Sequence, residues 1–478
     1  MFLRLSRGVP LSILPGKRTY DDQLPLGVFS LLISEASRIR SLHMCISTTL
    51  LEKLSPDIWS APLLESVTLQ QTDDDPPAEG SPTSIRNAVL PALRSLSTTT
   101  FSCTFARGFF RPTLTKLIIY APDMSLSIAE WVDTLNALPL LAHLILEDAL
   151  PQGSVPPGLI ATRVEMRHLA HLELLGWDSA MQCAHLLAHL SLPSCRTLAL
   201  NVRSSAPRTT SEFHHLFSSI SSALGSAFAP QSASLQPSQT SLSVHLWRAT
   251  LPLWKHAWVY ATKEPYSPSE APAVALDIDS LGTPLPPDTL RTLVGALPLE
   301  AVRALRLWDG DTIDCHDVRP LAALRRVEAL VYVCPRPLDL LRTLGKPSEL
   351  LLFPELKHLA LRHAKWHVHG ERCIAPYSDP PLSSHVDAML ATRAEMGVPL
   401  KDLHLQGLRR VDKERDLGWF EEGKKDVRQF EWDMERWECN RPSYPCLECA
   451  QRSALSIGKP GGDVEGDLDS DVEFSDLD

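Results

Sequence analysis

His363, His367, His369 and Cys373 stand close together in this sequence, and imidazole and thiolate are the ligands that tetrahedral zinc takes. Two histidines four apart share one face of a helix. This stretch, however, follows a strand-like leucine pattern at Leu359 and Leu361 and carries Lys365, Trp366 and Arg372, so it reads better as a solvated basic loop. A second set, Cys439, Cys446 and Cys449, contains a C-x-x-C pair. One tight turn can converge two such thiolates, but a structural zinc site closes with four ligands and the fourth has no obvious source nearby. Neither set is expected to hold a metal. The glycine-rich dinucleotide loop, the phosphate-binding P-loop, H-E-x-x-H, the EF-hand loop and G-x-S-x-G are all missing from the chain. We therefore expect a non-enzyme without cofactor; the alternative is a metal-dependent or other enzyme working through residues 363 to 373, or a scaffold.

Composition narrows the classes further. The 478 residues carry a formal charge of -11, and eight acidic residues lie between Asp463 and Asp478, which leaves the remaining 462 residues at about -3. A nearly neutral body is not the footprint of a nucleic-acid-binding protein, which shows a basic patch or stripe. No run approaches the roughly 18 apolar residues of a membrane-spanning helix, so neither nucleic acid nor membrane is an expected partner. Ten scattered cysteines without a secretory leader read as reduced thiols of an intracellular protein, cytoplasmic or nuclear. Arg4, Arg7, Lys17 and Arg18 raise the question of a mitochondrial transit peptide, but Pro10 and Pro15 interrupt the amphipathic helix that such a peptide needs.

The elements that would position any site follow from one phrase. Leu141-Ala142-His143-Leu144-Ile145-Leu146 and Leu169-Ala170-His171-Leu172-Glu173-Leu174 are both L-x-x-L-x-L, 28 residues apart. In a strand the last two leucines of each phrase point to one face and the residues between them to the other. Degenerate copies centre on Leu42, Val67, Leu96, Leu117, Leu200, Val244, Leu276, Leu305, Leu330, Leu359 and Leu403, most of them 21 to 32 residues apart. That spacing overlaps the leucine-rich period of roughly 20 to 29 residues. The expected fold is α/β: an irregular leucine-rich-repeat solenoid, a horseshoe of about thirteen turns with parallel strands on its concave side. A doubly wound sheet with leucine-rich strands is the alternative.

Helical spacing appears between the phrases. Ser127 and Glu130 form a capping box ahead of Trp131, Leu135 and Leu138; Phe213, Leu216, Phe217, Ile220 and Leu224 follow Ser211 as expected N-cap; further stripes start at Leu290 and Val386. Each strand is expected to be followed by a helix. Residues 1–35 read as an N-terminal strip and residues 36–435 as the solenoid, with insertions near 203–241 and 363–399. Residues 436–478 read as a C-terminal segment ending in a disordered acidic tail. Within the first insertion, Ala229 to Thr240 is rich in Ser, Gln, Pro and Ala and reads as flexible; Gln71 to Thr83 reads as a polar loop.

If the phrase leucines point inward, the groove is lined by His143, Ile145 and Glu147; His171 and Glu173; Arg306 and Trp308; His358 and Arg362; and Asp402, His404 and Gln406. The mixture suits a protein partner, since tryptophan and arginine are typical interface anchors. Trp308, beside Val331 and Val333 on the next strand, is expected to leave an apolar patch with an arginine rim in the open groove, unless the stretch near Ala229 to Thr240 or the loop at Tyr266 folds over it.

The phrases, the opening run Leu3-Arg4-Leu5-Ser6-Arg7-Gly8-Val9-Pro10-Leu11-Ser12-Ile13 and the closing run Phe353-Pro354-Glu355-Leu356-Lys357-His358-Leu359 resemble the leucine-rich region of F-box-like proteins of mushroom-forming (basidiomycete) fungi. The resemblance covers about residues 1–435. It implies a substrate receptor of a cullin-type ubiquitin ligase. The F-box, which in that family precedes the opening run, would lie before Met1, so contact with the ligase adaptor is expected only if an F-box exists upstream.

Overall fold

The protein is described by a computed structural model over residues 9–14, 34–46, 61–71, 89–120, 126–151, 163–177, 180–204, 209–251, 271–308, 318–334, 337–346, 351–364, 382–408, 419, 427 and 429–434. The chain divides into two units, Met1–Met434 and Glu435–Asp478; the second lies outside the described residues, as do Thr72 to Thr83 and the acidic tail.

The first unit is an α/β structure around one large, mostly parallel, open sheet. In chain order its strands are β1 (Leu11–Ile13), β2 (Ile39–Ile46), β3 (Ser66–Gln71), β4 (Ser95–Thr99), β5 (Lys116–Tyr120), β6 (His143–Glu147), β8 (His171–Trp177), β10 (Thr197–Arg203), β11 (Ser232–Pro237), β12 (Ser241–Trp247), β13 (Val274–Asp279), β14 (Ala304–Trp308), β15 (Ala329–Val333), β16 (His358–Arg362), β17 (Asp402–Leu408) and β18 (Gln429–Met434). A separate pair is formed by β7 (Val164–Glu165) and β9 (Leu190–Ser191). Helices are α1 (Cys103–Ala106), α2 (Ile128–Asn136), α3 (Ala180–Ala188), α4 (Thr210–Leu224), α5 (Thr289–Ala296), α6 (Leu338–Leu344) and α7 (Leu382–Glu395).

The centre of every phrase read from the sequence lies on one of these strands and is buried together with the residue two further on, Thr98 in β4 included, on the side where the helices pack. The first leucine has a different task. Leu64, Leu93, Leu114, Leu141 and Leu169 each donate their backbone N–H three residues back, to Ala61, Leu90, Arg111, Leu138 and Met166 respectively, so this position closes a tight turn ahead of the strand while burying its side chain beneath it. The turn also sets the spacing to the neighbouring strand. The carbonyl of Glu65 accepts the N–H groups of Arg94 and Ser95, that of Arg94 those of Thr115 and Lys116, that of Thr115 those of Ala142 and His143, and that of Ala142 those of Ala170 and His171. Backbone groups at each strand entry are thereby satisfied without side chains.

The helices are fixed by local signals. Ser127 and Glu130 do form a capping box at α2. At α4 the N-cap is Thr209, in a capping box with Glu212, and not Ser211; a threonine hydroxyl two residues upstream captures the Glu212 N–H and leaves Ser211 inside the first turn. Gly225, at φ 72, ends α4 in the left-handed region that only glycine adopts freely. A helix does not follow every strand. Between β4 and β5 the connection is the single turn of α1 and a 3₁₀ turn, and the described part of the link from β14 to β15 is 3₁₀ only.

The largest departure lies between β10 and β14. Ala229 to Thr240 is not a flexible insertion: Ser232–Pro237 is a strand with Ser232 to Leu235 buried, and it turns through Ser238 to Ser241 into β12. Strand order in this region is β10, β13, β12, β11, β14. β12 is antiparallel to both its neighbours, whereas the remaining pairs of the large sheet are parallel. The reversal preserves burial because the register sets Leu235 against Val244 and Val244 against Leu276. Polar serines alternate here with Ala233, Leu235, Leu242, Val244 and Leu246, and a period of two outweighs a low-complexity composition.

Candidate partner-binding face

The sheet face turned away from the helices carries all the residues singled out from alternation, and they fall into two groups. His143, Ile145 and Glu147 lie on β6 beside His171 and Glu173 on β8. Arg306 and Trp308 on β14, His358 and Arg362 on β16, and Asp402, His404 and Gln406 on β17 form the second group. Five strand steps separate β8 from β14, or about 24 Å at the usual strand spacing.

In the first group, His143 is exposed and the other residues are half-buried. The rings of His143 and His171 lie 5.9 Å apart, and His171 Nε2 is 3.4 Å from a Glu173 carboxylate oxygen. Partial burial, reinforced by His171 and Lys116, holds His143 below the ordinary imidazole range. Burial, then the carboxylates of Asp148 and Glu173, pushes Glu147 above the usual carboxylate range against the pull of Arg203. Tyr120, in register with Glu147, is raised by burial and by Glu147 and Glu173.

The strand ends of β6, β8 and β10 enclose a cleft of about 130 Å³ lined by Glu147, Asp148, Leu175, Gly176, Asn201 and Arg203. Asp148 sits at φ 50, a conformation asparagine and aspartate tolerate better than other side chains, and its N–H donates to the Leu175 carbonyl at 2.9 Å. The next carbonyl, of Ala149, accepts the Trp131 indole N–H at 2.9 Å. Trp131 is fully buried on α2, so the helix layer fixes the turn that forms one wall of the cleft. Alternation had pointed to Glu147 alone among the lining residues. Asp148 lies just past β6 and Gly176 is the last residue but one of β8, and which strand lies beside which is a tertiary fact.

The second group is placed otherwise than expected. Arg306 and His404 are buried, 4% and 3% exposed, and the expected open apolar patch is itself buried: Ala304, Ala329, Val331, Val333 and Ala360 form a second core on this face, with Leu251 and Trp308 packed against it. The Arg306 guanidinium lies over the Trp308 ring at 5.2 Å, a cation–π contact made within the fold. His358 Nδ1 and Asp402 Oδ2 are 2.5 Å apart. His245, on β12 between the two groups, is lowered by burial and by Arg306, against the pull of Asp277.

Among the described residues no group of three or more His, Cys, Asp or Glu side chains is arranged to hold a metal ion. His367, His369, Cys373, Cys439, Cys446 and Cys449 lie outside them. The described cysteines Cys45, Cys103, Cys183, Cys195 and Cys334 are thiols, and burial raises Cys103 and Cys195 to about 11. No helix among the described residues is long and apolar enough to cross a membrane. Comparison with protein-family models finds no match, and comparison with curated proteins finds none either.

Proposed function

We propose that the chain is a leucine-rich-repeat solenoid that recognises a protein partner on the sheet face opposite its helices, as the substrate receptor of an F-box-type ubiquitin ligase. The observation that carries this reading is the recurrent strand entry. A buried leucine closes a three-residue turn, the carbonyl just before one strand takes two N–H groups of the next, and two leucines follow into the core. Repeated along the chain, this unit leaves the intervening residues facing outward in rows, which is how solenoids build extended binding surfaces. The resemblance to fungal F-box-like proteins, carried by the runs at Leu3 to Ile13 and Phe353 to Leu359, supplies the ubiquitin-ligase role. Contact with the ligase adaptor is part of this reading only if an F-box precedes the opening run.

The test places a photocrosslinking amino acid at Ile145 on the sheet face and, separately, at the exposed His214 on α4, in the full chain. Proteins captured from Ile145 and not from His214 are identified, purified and titrated against the wild-type chain and a His171→Ala/Glu173→Gln variant. Specific binding lost in the variant is expected. Capture of the same proteins from both positions, or binding that the variant leaves unchanged, overturns the assignment of this face.

A further inference from the structure

The cleft at the ends of β6, β8 and β10 restricts what kind of partner the face takes. Its volume of about 130 Å³ is well below the roughly 300–1,000 Å³ of a small-molecule or cofactor pocket, and matches the tip of one side chain. Glu147 and Asp148 line it, Glu173 stands close enough to repel Glu147, and Arg203 opposes them only in part. The same cross-strand row continues by register from Glu147 through Leu175 and Asn201 to Asp277 on β13, where Asp277 is exposed. Asp279 follows on the same strand, in register with Arg203.

We propose that this cleft receives a lysine or arginine side chain from an extended segment of a protein partner laid across β6 to β13. The proposal rests on the recognition reading above and names its substrate class. Charge complementarity selects the occupant, because Glu147, Asp148, Glu173 and Asp277 place four carboxylates along this face. Ammonium and guanidinium groups bring several donors to such a set. Geometry adds a spacing rule. Glu147 and Asp277 are three strand steps apart, or about 14 Å, and an extended peptide covers that distance in about four residues, after which its side chain returns to the same face. Basic residues at positions i and i+4 would therefore meet Glu147 and Asp277 together, with the segment between them crossing Leu175 and Asn201. Glu147, pushed above the usual carboxylate range by burial and then by Asp148 and Glu173, fits a carboxylate that an incoming cation would relieve, and perturbed carboxylates gather at sites with a task.

The probe is a fluorescein-labelled Gly-Ser peptide of about ten residues carrying two lysines four apart, with a glutamate-substituted peptide and one with adjacent lysines as comparisons. Binding to the full chain is followed by anisotropy at low salt, where exposed charges are least screened. Glu147→Gln/Asp277→Asn is compared with Asp288→Asn/Asp339→Asn, which removes the same charge from the helix side. We expect the wild type and the helix-side variant to bind the i, i+4 peptide alike. The cleft variant should weaken by about tenfold, and the adjacent-lysine peptide should bind more weakly than the i, i+4 peptide. Equal affinities for the two double variants, as attraction to the acidic C-terminus would give, overturn the proposal, and so does a wild type that binds none of the peptides. If the peptides fail while the Ile145 crosslink still reports a partner lost in His171→Ala/Glu173→Gln, the basic class falls and the recognition face stands.

Discussion

The sheet face opposite the helices has two halves that share a backbone pattern and differ in everything else. On β5 to β10 its side chains are Lys116, Ile118, Tyr120, His143, Ile145, Glu147, His171, Glu173, Thr197, Ala199 and Asn201, half-buried or exposed. On β14 to β16 they include Ala304, Ala329, Val331, Val333 and Ala360, at most 7% exposed. Small and β-branched side chains leave a low, apolar surface onto which chain can pack closely, and Leu251 and Trp308 lie on it. Charged side chains on the other half cannot be covered in this way without costly desolvation. Among the described residues the first half is left half-buried or exposed, whereas the second is part of the core. On the recognition reading proposed above, interface anchors are expected on β5 to β13 and not at Trp308, which packs against the second core.

The largest expected effect tests the covered half directly. Val331→Asp places a charge without a partner at a position 0% exposed, and should destabilise the protein by about 4 kcal/mol or prevent folding. Ile118→Asp, on the other half beside Lys116 and half-buried, should cost about 1 kcal/mol. Urea unfolding of both variants checks the contrast, and equal losses would erase the distinction between the halves. Next in size is Trp131→Phe. It removes the indole N–H that holds the Ala149 carbonyl, leaving that buried acceptor only the weak Cys103 thiol at 3.9 Å, and should cost about 1–3 kcal/mol while loosening Asp148 at the cleft. Hydrogen exchange at the Asp148 amide, which bonds the Leu175 carbonyl, should quicken more than at Leu144.

The smallest effect has the opposite sign. Glu147 is held above the usual carboxylate range by burial, Asp148 and Glu173, so the folded state binds its proton more tightly than the unfolded state does. Its protonated form favours folding below the unfolded value, and that advantage is lost as pH rises through the folded one. Glu147→Gln should thus raise the thermal midpoint slightly at pH 7, with the gain shrinking as the pH falls into and below the carboxylate range. A midpoint lowered at pH 7, or a gain that grows in acid, contradicts the repulsion described at the cleft. A substitution that steadies the fold while weakening the basic peptide would separate binding from stability at one residue.

Much of the fold was legible because its signals are local. Leu144 and Leu146, or Leu172 and Leu174, face inward whatever surrounds them, since a strand alternates by covalent geometry. Ser127 and Glu130 announce α2 because both partners of the capping box lie within one turn. The hairpin of β11 and β12 was obscured by composition: Ser, Gln and Pro between Ala233 and Leu242 look like a linker until the alternation is weighed above the residue types. Its direction was not legible at all. Val244 and Leu246 bury the same face in a parallel or an antiparallel strand, and only pairing with β11 and β13 distinguishes the two.

For the candidate site, the sequence by itself determined which side chains leave the core: His143, Glu147, His171 and Glu173 on one stretch, Arg306, Trp308 and His404 on another. The tertiary structure decided which of them water reaches. Arg306 and His404 became buried, and Asp148, Asn201 and Arg203 joined Glu147 around one cleft. The physical reason is the range of each effect. Alternation is set by neighbours one and two residues away, whereas the burial of an outward face and the meeting of three strand ends depend on segments tens of residues apart, whose packing free energy is settled only when the whole sheet has assembled.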